Sequence, residues 1–463
     1  GATLAVLPFK PLGSGERDEL LELGMADALA TQLSLVPGLV VRSSGSVLRY
    51  RGPEQDPRRA ARARGADWVG EGAGMHRDGR LRAGAGAAPF GGLFDPRCVD
   101  VFDVQDQIAR RVTEALASVL QGRLAARSPG ADLGGTRSTE AYQLYLAARW
   151  RSQDGSADSI RRAVDLLGQA LALDPAYAQA WTELAWVHRR GLRNADAEPR
   201  VVFERAHTAV QRALALAPTL AHAQAGMGFT RYWYHYDWAE AERLFRSALA
   251  ANPSETSARW GLALLLLTQG RLDEGFVHLR RARELDPMSP VLNTLEGSFL
   301  HAHGRAAEAR VRLGVALDIA PRSWLAHVAL GEWQLGAGQV DEGLASLRRA
   351  AGLGTGTSRP RAVLAAQLAA HGQAAEARTI LDALAAQARE RFVPPTSLAT
   401  VHAALGETDA ALAALEQAYA VRDVRVIYLK DDRHWAPLRG QPRFAALLRK
   451  LALDRLGPGL TPV

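Results

Sequence analysis

The stretch that decides the fold is residues 256–287, TSARWGLALLLLTQGRLDEGFVHLRRARELDP. Its apolar residues recur at helical spacing on both sides of Gly270, and Pro287 ends the second run. The pattern therefore predicts two helices joined by a tight turn at the glycine. Small residues such as Ala263 and Gly275 would let these two helices approach each other closely.

This unit repeats along the chain with a nearly constant period. Each copy ends in a proline, which cannot continue a helix. The prolines are Pro175, Pro218, Pro253, Pro287 and Pro321, spaced by 43, 35, 34 and 34 residues. A period of 34 residues resembles the tetratricopeptide repeat (TPR), a stack of helical hairpins. We predict about eight hairpins over residues 139–421, stacked into an all-α solenoid with a concave inner face.

Two stretches depart from the period. An insertion of nine residues around 193–199 accounts for the first long spacing. The tail VRVIYLKDDRHWAPLRG at 424–440 reads as an extended run interrupted by proline, and an amphipathic helix near 444–451 follows it. We predict that residues 422–463 form a C-terminal cap on the solenoid.

Residues 1–127 have a different pattern. Short apolar runs at 3–9, 39–42 and 67–71 predict strands. The stretches 18–35, 57–64 and 103–124 predict helices. This order predicts an α+β N-terminal domain with a small sheet and helices on one side. Residues 128–138 would link it to the solenoid.

The front domain contains four segments, LAVLPFKPLGSGE, LGMADALATQLSLVPGLVVRSSGSV, ARARGADWVGEG and DVFDVQDQIARRVTEAL. Together they resemble the TolB amino-terminal-like domain. That domain followed by TPR repeats is similar to the sensory or accessory part of CadC-type winged-helix transmembrane regulators and of bacterial adenylate cyclases and kinases. The glycine-rich stretch 80–98 departs from the resemblance, since glycine weakens the strand expected there.

Composition and motifs exclude several classes of function. The net charge of +7 is spread along the chain, so we expect no direct nucleic-acid binding. The longest apolar runs, such as 262–267, are far too short to span a membrane. The single cysteine, Cys98, cannot form an intrachain disulfide. Because no phosphate-binding loop, zinc motif or hydrolase motif is present, we expect no enzyme activity, cofactor or metal.

The first helix of each hairpin would line the inner face of the solenoid. Aromatic side chains beside arginines are typical of peptide-binding surfaces. The sequence places such side chains at inner positions and predicts a partner-binding groove. Its candidate residues are Trp186, Arg189, Arg190, Phe229, Tyr232, Trp233, Trp260, His301 and Glu332.

The resemblance implies a non-enzymatic sensor or protein-interaction module of a bacterial signalling or transcriptional regulator, with a peptide or protein ligand in the groove. The alternative is a free-standing TPR scaffold for envelope protein assembly. A periplasmic location would follow from an upstream transmembrane helix, and a cytoplasmic one from its absence. The sequence leaves the ligand, homodimer formation and whatever precedes Gly1 open.

Overall fold

The computed structural model describes residues 2–6, 30, 33–34, 39–41, 68–71, 74–77, 80–81, 134–152, 157–430 and 432–454. From residue 134 onward these residues form a helical solenoid. Most of the predicted linker, Cys98 and the end of the tail lie outside the described residues. The domain boundaries drawn from the sequence therefore stay a prediction.

The strands near the N-terminus form one sheet. They are β1 (Ala2–Val6), β2 (Leu39–Val41), β3 (Trp68–Glu71), β4 (Gly74–Arg77) and β5 (Arg80–Leu81). Their order is β2-β1-β3-β4-β5, with the first three parallel and the last two added antiparallel.

Strands β1 to β3 overlap the three apolar runs of the sequence, and Leu4 on β1, which lies between β2 and β3, is fully buried. The predicted helices at 57–64 and 103–124, most of 18–35, and residues 82–98 lie outside the described residues. The α+β domain as a whole stays a prediction.

Sixteen helices of the described chain pair into eight antiparallel hairpins. In order, the pairs are α1 (Thr139–Arg151) and α2 (Ala157–Leu173), α3 (Ala178–Asn194) and α4 (Pro199–Leu216), α5 (Ala221–Thr230) and α6 (Trp238–Ala251), α7 (Thr256–Thr268) and α8 (Leu272–Leu285), α9 (Pro290–Ala302) and α10 (Ala306–Ile319), α11 (Trp324–Gly336) and α12 (Val340–Leu353), α13 (Arg359–Ala370) and α14 (Ala374–Glu390), and α15 (Pro395–Ala404) and α16 (Thr408–Ala420). We number them hairpins 1 to 8.

The turns of hairpins 4 to 8 share one backbone conformation, which recurs every 34 residues. Their glycines have φ between 75° and 81°, a region that side chains other than glycine rarely adopt. These glycines are Gly270, Gly304, Gly338, Gly372 and Gly406. In hairpin 4 the amide of Arg271 donates to the carbonyl of Leu266 at 2.9 Å, which closes the end of α7 as a left-handed helix cap. Each of these five first helices ends two residues before its glycine, so the glycine fixes where the helix stops.

Within a hairpin, glycine on the first helix meets leucine on the second. A Cβ added at Gly331 would lie 2.8 Å from Cγ of Leu347 and 2.9 Å from the carbonyl oxygen of Gly343. Gly297 and Leu313 form the same pair one repeat earlier, also at 2.8 Å. Both leucines are fully buried. The close approach predicted from the small residues is thus confirmed.

The C-terminal segment from residue 422 to residue 454, here called the tail, packs against hairpin 8. Buried side chains of the tail, including Trp435, Leu438 and Phe444, share one apolar cluster with Leu412 and Leu415 of α16. The extended run expected at 424–440 is wrong, because the tail forms two 3-10 turns, Val424–Tyr428 and Arg433–Leu438, before helix α17 (Pro442–Lys450). The turns are stabilised by Asp423 and Asp432, whose side chains accept hydrogen bonds from backbone amides two residues later.

Two contacts also connect distant parts of the superhelix, one between hairpins 2 and 7 and the other between hairpin 3 and the tail. Asp196, in the insertion of hairpin 2, accepts hydrogen bonds from the hydroxyl of Thr357 at 2.9 Å and the amide of Ser358 at 2.8 Å, at the start of hairpin 7. Nε1 of Trp238, in hairpin 3, donates to the carbonyl of Leu451 in the tail at 2.9 Å. Segments that lie far apart along the stack of hairpins are therefore in direct contact.

Replacing Gly331 by alanine should destabilise the protein by about 1–2 kcal/mol, since overpacking against an immobile carbonyl outweighs the helix propensity of alanine. Gly314 is the matched control, because it lies on an exposed helix position with nothing within 4 Å of the added Cβ. We expect Gly314→Ala to be neutral or to stabilise by up to about 1 kcal/mol. Chemical denaturation of both variants tests this, and equal effects would contradict the close-packing argument.

Replacing Asp196 by alanine should cost about 1–3 kcal/mol, since the buried amide of Ser358 loses its acceptor. Asp196→Asn keeps an acceptor oxygen and tolerates the positive φ of 42° at this residue, so its loss should be clearly smaller. Denaturant unfolding of the two variants gives the comparison. An asparagine variant as unstable as the alanine variant would show that the charge, rather than the hydrogen bonds, closes the superhelix.

Candidate functional site: the inner face of the solenoid

The first helices of neighbouring hairpins contact one another and form the inner face. On this face an aromatic stripe, Trp186, Phe229, Trp233 and Trp260, runs across hairpins 2 to 4. The ring of Phe229 lies 5.4 Å from Trp186 and 4.6 Å from both Trp233 and Trp260. Tilted and edge-on geometries of this kind are favourable for aromatic rings. The sequence-predicted aromatic residues are therefore brought together.

Arg189 connects hairpins 2 and 3 next to the aromatic stripe. Its guanidinium lies 4.3 Å above the ring of Trp186, and its Nη1 donates to the carbonyl of Gly226 at 2.7 Å. The side chain is buried, and burial lowers the pKa of Arg189 to about 9. Arg189 is thus part of the packing between two hairpins.

Arg190 is also held by its neighbours. Its Nη2 lies 3.2 Å from Oε1 of Glu183, and its Nη1 donates to the hydroxyl of Ser152 in hairpin 1. The charge of Arg190 is therefore balanced within the protein by an acid on the same helix.

The aromatic run of hairpin 3 forms one turn of π-helix, Arg231–His235, followed by Tyr236 with φ of 57°. This turn takes up the extra residue that makes the spacing 35 instead of 34. It directs Tyr232 into the core, where its hydroxyl and that of Thr268 are 2.7 Å apart. Such π-helical turns occur often at functional sites because they re-aim side chains.

The tail covers part of the aromatic stripe. Ile427, in the first 3-10 turn, is fully buried in the same apolar cluster as Phe229 and Tyr232, and Tyr428 packs against that cluster. Burial raises the pKa of Tyr428. At hairpin 3 the inner face is therefore an interior contact between the stripe and the tail.

A charged cluster connects the tail to hairpin 6. Nδ1 of His434 lies 2.6 Å from Oδ1 of Asp432, and its Nε2 lies 3.8 Å from Oε1 of Glu332. Arg425 approaches Oδ2 of Asp432 at 3.5 Å. Burial disfavours both charges, but the mutual attraction outweighs burial, so the pKa of His434 is raised and that of Asp432 is lowered. The tail is thus fixed by an ion pair as well as by apolar packing.

The nine predicted groove residues differ in exposure. Arg189, Phe229 and Tyr232 are buried. The others, Trp186, Arg190, Trp233, Trp260, His301 and Glu332, are half-buried. His301 lies beside the tail, where burial and the nearby Arg433 lower its pKa. The structure places all nine on or next to the inner face, and their contact with a partner stays a prediction.

Sequence reasoning missed the residues that the tail brings to this face. Ile427, Tyr428, Asp432 and His434 were assigned only to a cap on the last hairpin. The available signal was their composition, since an aliphatic and aromatic pair followed by an Asp-Arg-His run is unusual for a solvent-exposed cap. No periodicity could connect them with hairpins 3 and 6.

In the part of the chain that the structure describes, no histidine, cysteine and carboxylate cluster has the arrangement of a metal site. Among the helices of these residues, none combines the length and apolarity that a membrane span requires.

Comparison with known proteins identifies the repeats. The model of a tetratricopeptide repeat family matches residues 227–290. A curated relative, putative adenylate cyclase 3 of Rhizobium meliloti (strain 1021), is 28% identical over 190 residues, which is 40% of this chain. This chain covers 32% of that relative, so it spans about a third of the relative's length. The family match and the 34-residue turn spacing show that the chain contains TPR repeats.

Several solved structures are similar to parts of this chain. A chain of the APC/C hetero-tetramer Cut9–Hcn1 is 15% identical to this chain; the match covers 74% of this chain and 59% of that one, with a TM-score of 0.42. YrrB, a TPR protein with an unusual peptide-binding site, is 20% identical to this chain. The match covers 40% of this chain and 91% of YrrB, with a TM-score of 0.28. The type IV pilus biogenesis factor PilW is 16% identical to this chain. The match covers 46% of this chain and 94% of PilW, with a TM-score of 0.36.

The ion pair of the tail predicts a pH dependence. Because the pKa of His434 is raised by folding, its contribution to stability is complete below about pH 6.5 and is lost as the pH rises through the folded pKa. His434→Gln should therefore be less stable than the unmodified chain at about pH 6, and the difference should shrink by about pH 8.5. Denaturant unfolding at both values measures this. A difference that stays constant with pH would contradict the ion pair.

Proposed function

We propose that this chain is a non-enzymatic interaction module of a bacterial signalling protein, which holds a peptide or protein partner on the inner face of its solenoid. The observation that carries the proposal is the aromatic stripe, in which Trp186, Trp233 and Trp260 come from three hairpins and keep accessible surface. Half-exposed aromatic side chains gathered on a concave face are typical anchors for a bound peptide.

The similarity to the putative adenylate cyclase supports a signalling context. Because this chain spans about a third of that relative, an output domain would lie elsewhere in the parent protein. The resemblance of the front domain to the TolB amino-terminal-like domain favours the same context. A winged-helix regulator and a free-standing scaffold are the alternatives that analysis of the native polypeptide would separate.

Signalling would require two states of the solenoid. A partner shifts their equilibrium only by the difference between its affinities for them. The closing contacts at Asp196 and at the tail give the solenoid a discrete arrangement that partner binding can favour or oppose. The output domain would respond to this shift.

Photo-crosslinking in source cells tests the location of the partner. A photoreactive residue at Ser298, which is half-buried on α9, should capture a defined partner. The same residue at Val277, which is 61% exposed on the outer helix α8, is the matched control and should not. Trp260→Ala should reduce the Ser298 cross-link at least about tenfold, as loss of one aromatic anchor costs about 1.4 kcal/mol or more.

Cross-links that are the same from both positions, or that survive Trp260→Ala unchanged, would show that the inner face is not the binding surface. Circular dichroism of the Trp260→Ala variant separates loss of binding from loss of fold.

A further inference from the structure

One segment of the tail lies across the inner face. This segment, here called the strap, consists of residues 424–430 and includes the first 3-10 turn, Val424–Tyr428. The turn contacts the π-helical turn of hairpin 3. Ile427 is fully buried in one apolar cluster with Phe229 and Tyr232. The strap therefore occupies the aromatic stripe where the stripe crosses hairpin 3.

The strap has two apolar sides, which contact different hairpins. Val426 and Leu429 are fully buried in the cluster that the tail shares with hairpin 8. Ile427 and Tyr428, which lie between them in the sequence, pack on the cluster of hairpins 3 and 4. Tyr428 also interacts with Trp233 of the stripe. The contact with the stripe is therefore separate from the contact that holds the strap on hairpin 8.

The backbone hydrogen bonds of the strap are local. The amide of Val426 donates to the carbonyl of Asp423, and the amide of Leu429 donates to the carbonyl of Val426, both at 3.2 Å. Asp423 is fixed to hairpin 8 in turn, because its Oδ2 accepts hydrogen bonds from the amide and the hydroxyl of Thr396. The strap can therefore keep its turn and its attachment to hairpin 8 when its contact with hairpin 3 opens.

The side chains on hairpin 3 show which chemistry the inner face accepts. An aliphatic side chain, Ile427, is followed by an aromatic one, Tyr428. Trp233 and Trp260 pack against the same cluster and keep accessible surface beside it. Aromatic anchors at the centre of an interface supply much of the binding energy of protein complexes. A segment of another protein with the same pair would fit this place, which the strap fills.

We propose that the strap is an internal ligand of the inner face, and that the partner is a peptide segment with an aliphatic residue followed by an aromatic one, which displaces Ile427 and Tyr428 from hairpin 3. The inference rests on the proposed function and names the chemistry of the partner and the regulation of its binding. Because the strap is tethered, it competes at an effective concentration of about 1 mM. The closed chain therefore binds the partner more weakly than a chain whose strap has left the stripe.

Binding of the strap sequence as a separate peptide tests the proposal. The probe is a fluorescently labelled peptide of residues 422–430, RDVRVIYLK, and fluorescence anisotropy measures its binding to the full chain. In the open variant, Ile427→Ser and Tyr428→Ser remove both side chains from hairpin 3. We expect saturable binding to the open variant that is at least about tenfold tighter than binding to the unmodified chain, since the tethered strap no longer competes.

Three controls locate the binding. The peptide RDVRVSSLK, which lacks the pair, should not bind. Arg443→Gln weakens the tail at another place, because Nη2 of Arg443 donates to Oε2 of Glu416 in hairpin 8 at 2.8 Å. Its affinity for the probe should stay within about twofold of the unmodified chain. Trp233→Ala, added to the open variant, should lower the affinity at least about tenfold, because Trp233 contributes to the place of Tyr428.

Two results would overturn the proposal. One is equal affinity of the probe for the unmodified chain and the open variant, and the other is no saturable binding to an open variant that circular dichroism shows to be folded. If the open variant fails to fold, Tyr428→Ser alone replaces it, because Tyr428 is half-buried and Ile427 stays in place. The affinity of this variant should exceed that of Arg443→Gln at least about threefold.

The cross-link from Ser298 separates this failure from that of the proposed function. The open variant should increase the amount of captured partner, whereas a merely structural role of the strap would leave it unchanged or lower it. A partner captured equally by the unmodified chain and the open variant would therefore leave the inner-face function standing and remove the inference of displacement.

Discussion

Each hairpin of this protein has an apolar face that only the next hairpin can cover, and the rest of the structure depends on that constraint. It requires first and second helices to approach closely, which the pairing of Gly331 with Leu347 permits. In hairpins 4 to 8 the unit also keeps a constant period, which the turn glycines repeat at 34-residue intervals. A stack built this way has two ends at which the apolar face has no next hairpin.

The C-terminal end is covered by the tail, and the tail does more than cap. Its apolar side chains, such as Trp435 and Phe444, bury the exposed face of hairpin 8. Ile427 then reaches hairpin 3, and the pair of Asp432 and His434 reaches hairpin 6. A linear stack with nearest-neighbour contacts only would unfold repeat by repeat. The long-range contacts of this chain couple repeats that a linear stack would leave independent.

Closure also changes the inner face from an open groove into a divided surface. Tyr232 and Phe229 lie in the interior between the stripe and the tail, whereas Trp186, Trp233 and Trp260 keep accessible surface. Arg189 and Arg190 hold neighbouring hairpins together, through a carbonyl of hairpin 3 and a hydroxyl of hairpin 1.

The sequence by itself determined the repeat, the hairpins and the approach of small residues to large ones, because these depend on contacts within about one period of the chain. It also placed the aromatic residues on one face, since first-helix positions recur with that period. The tertiary structure alone decided what covers that face. The contacts that close the superhelix join residues 161 and 213 positions apart, at Asp196 and Trp238. Such separations result from the curvature accumulated over several hairpins, which no local pattern of residues encodes.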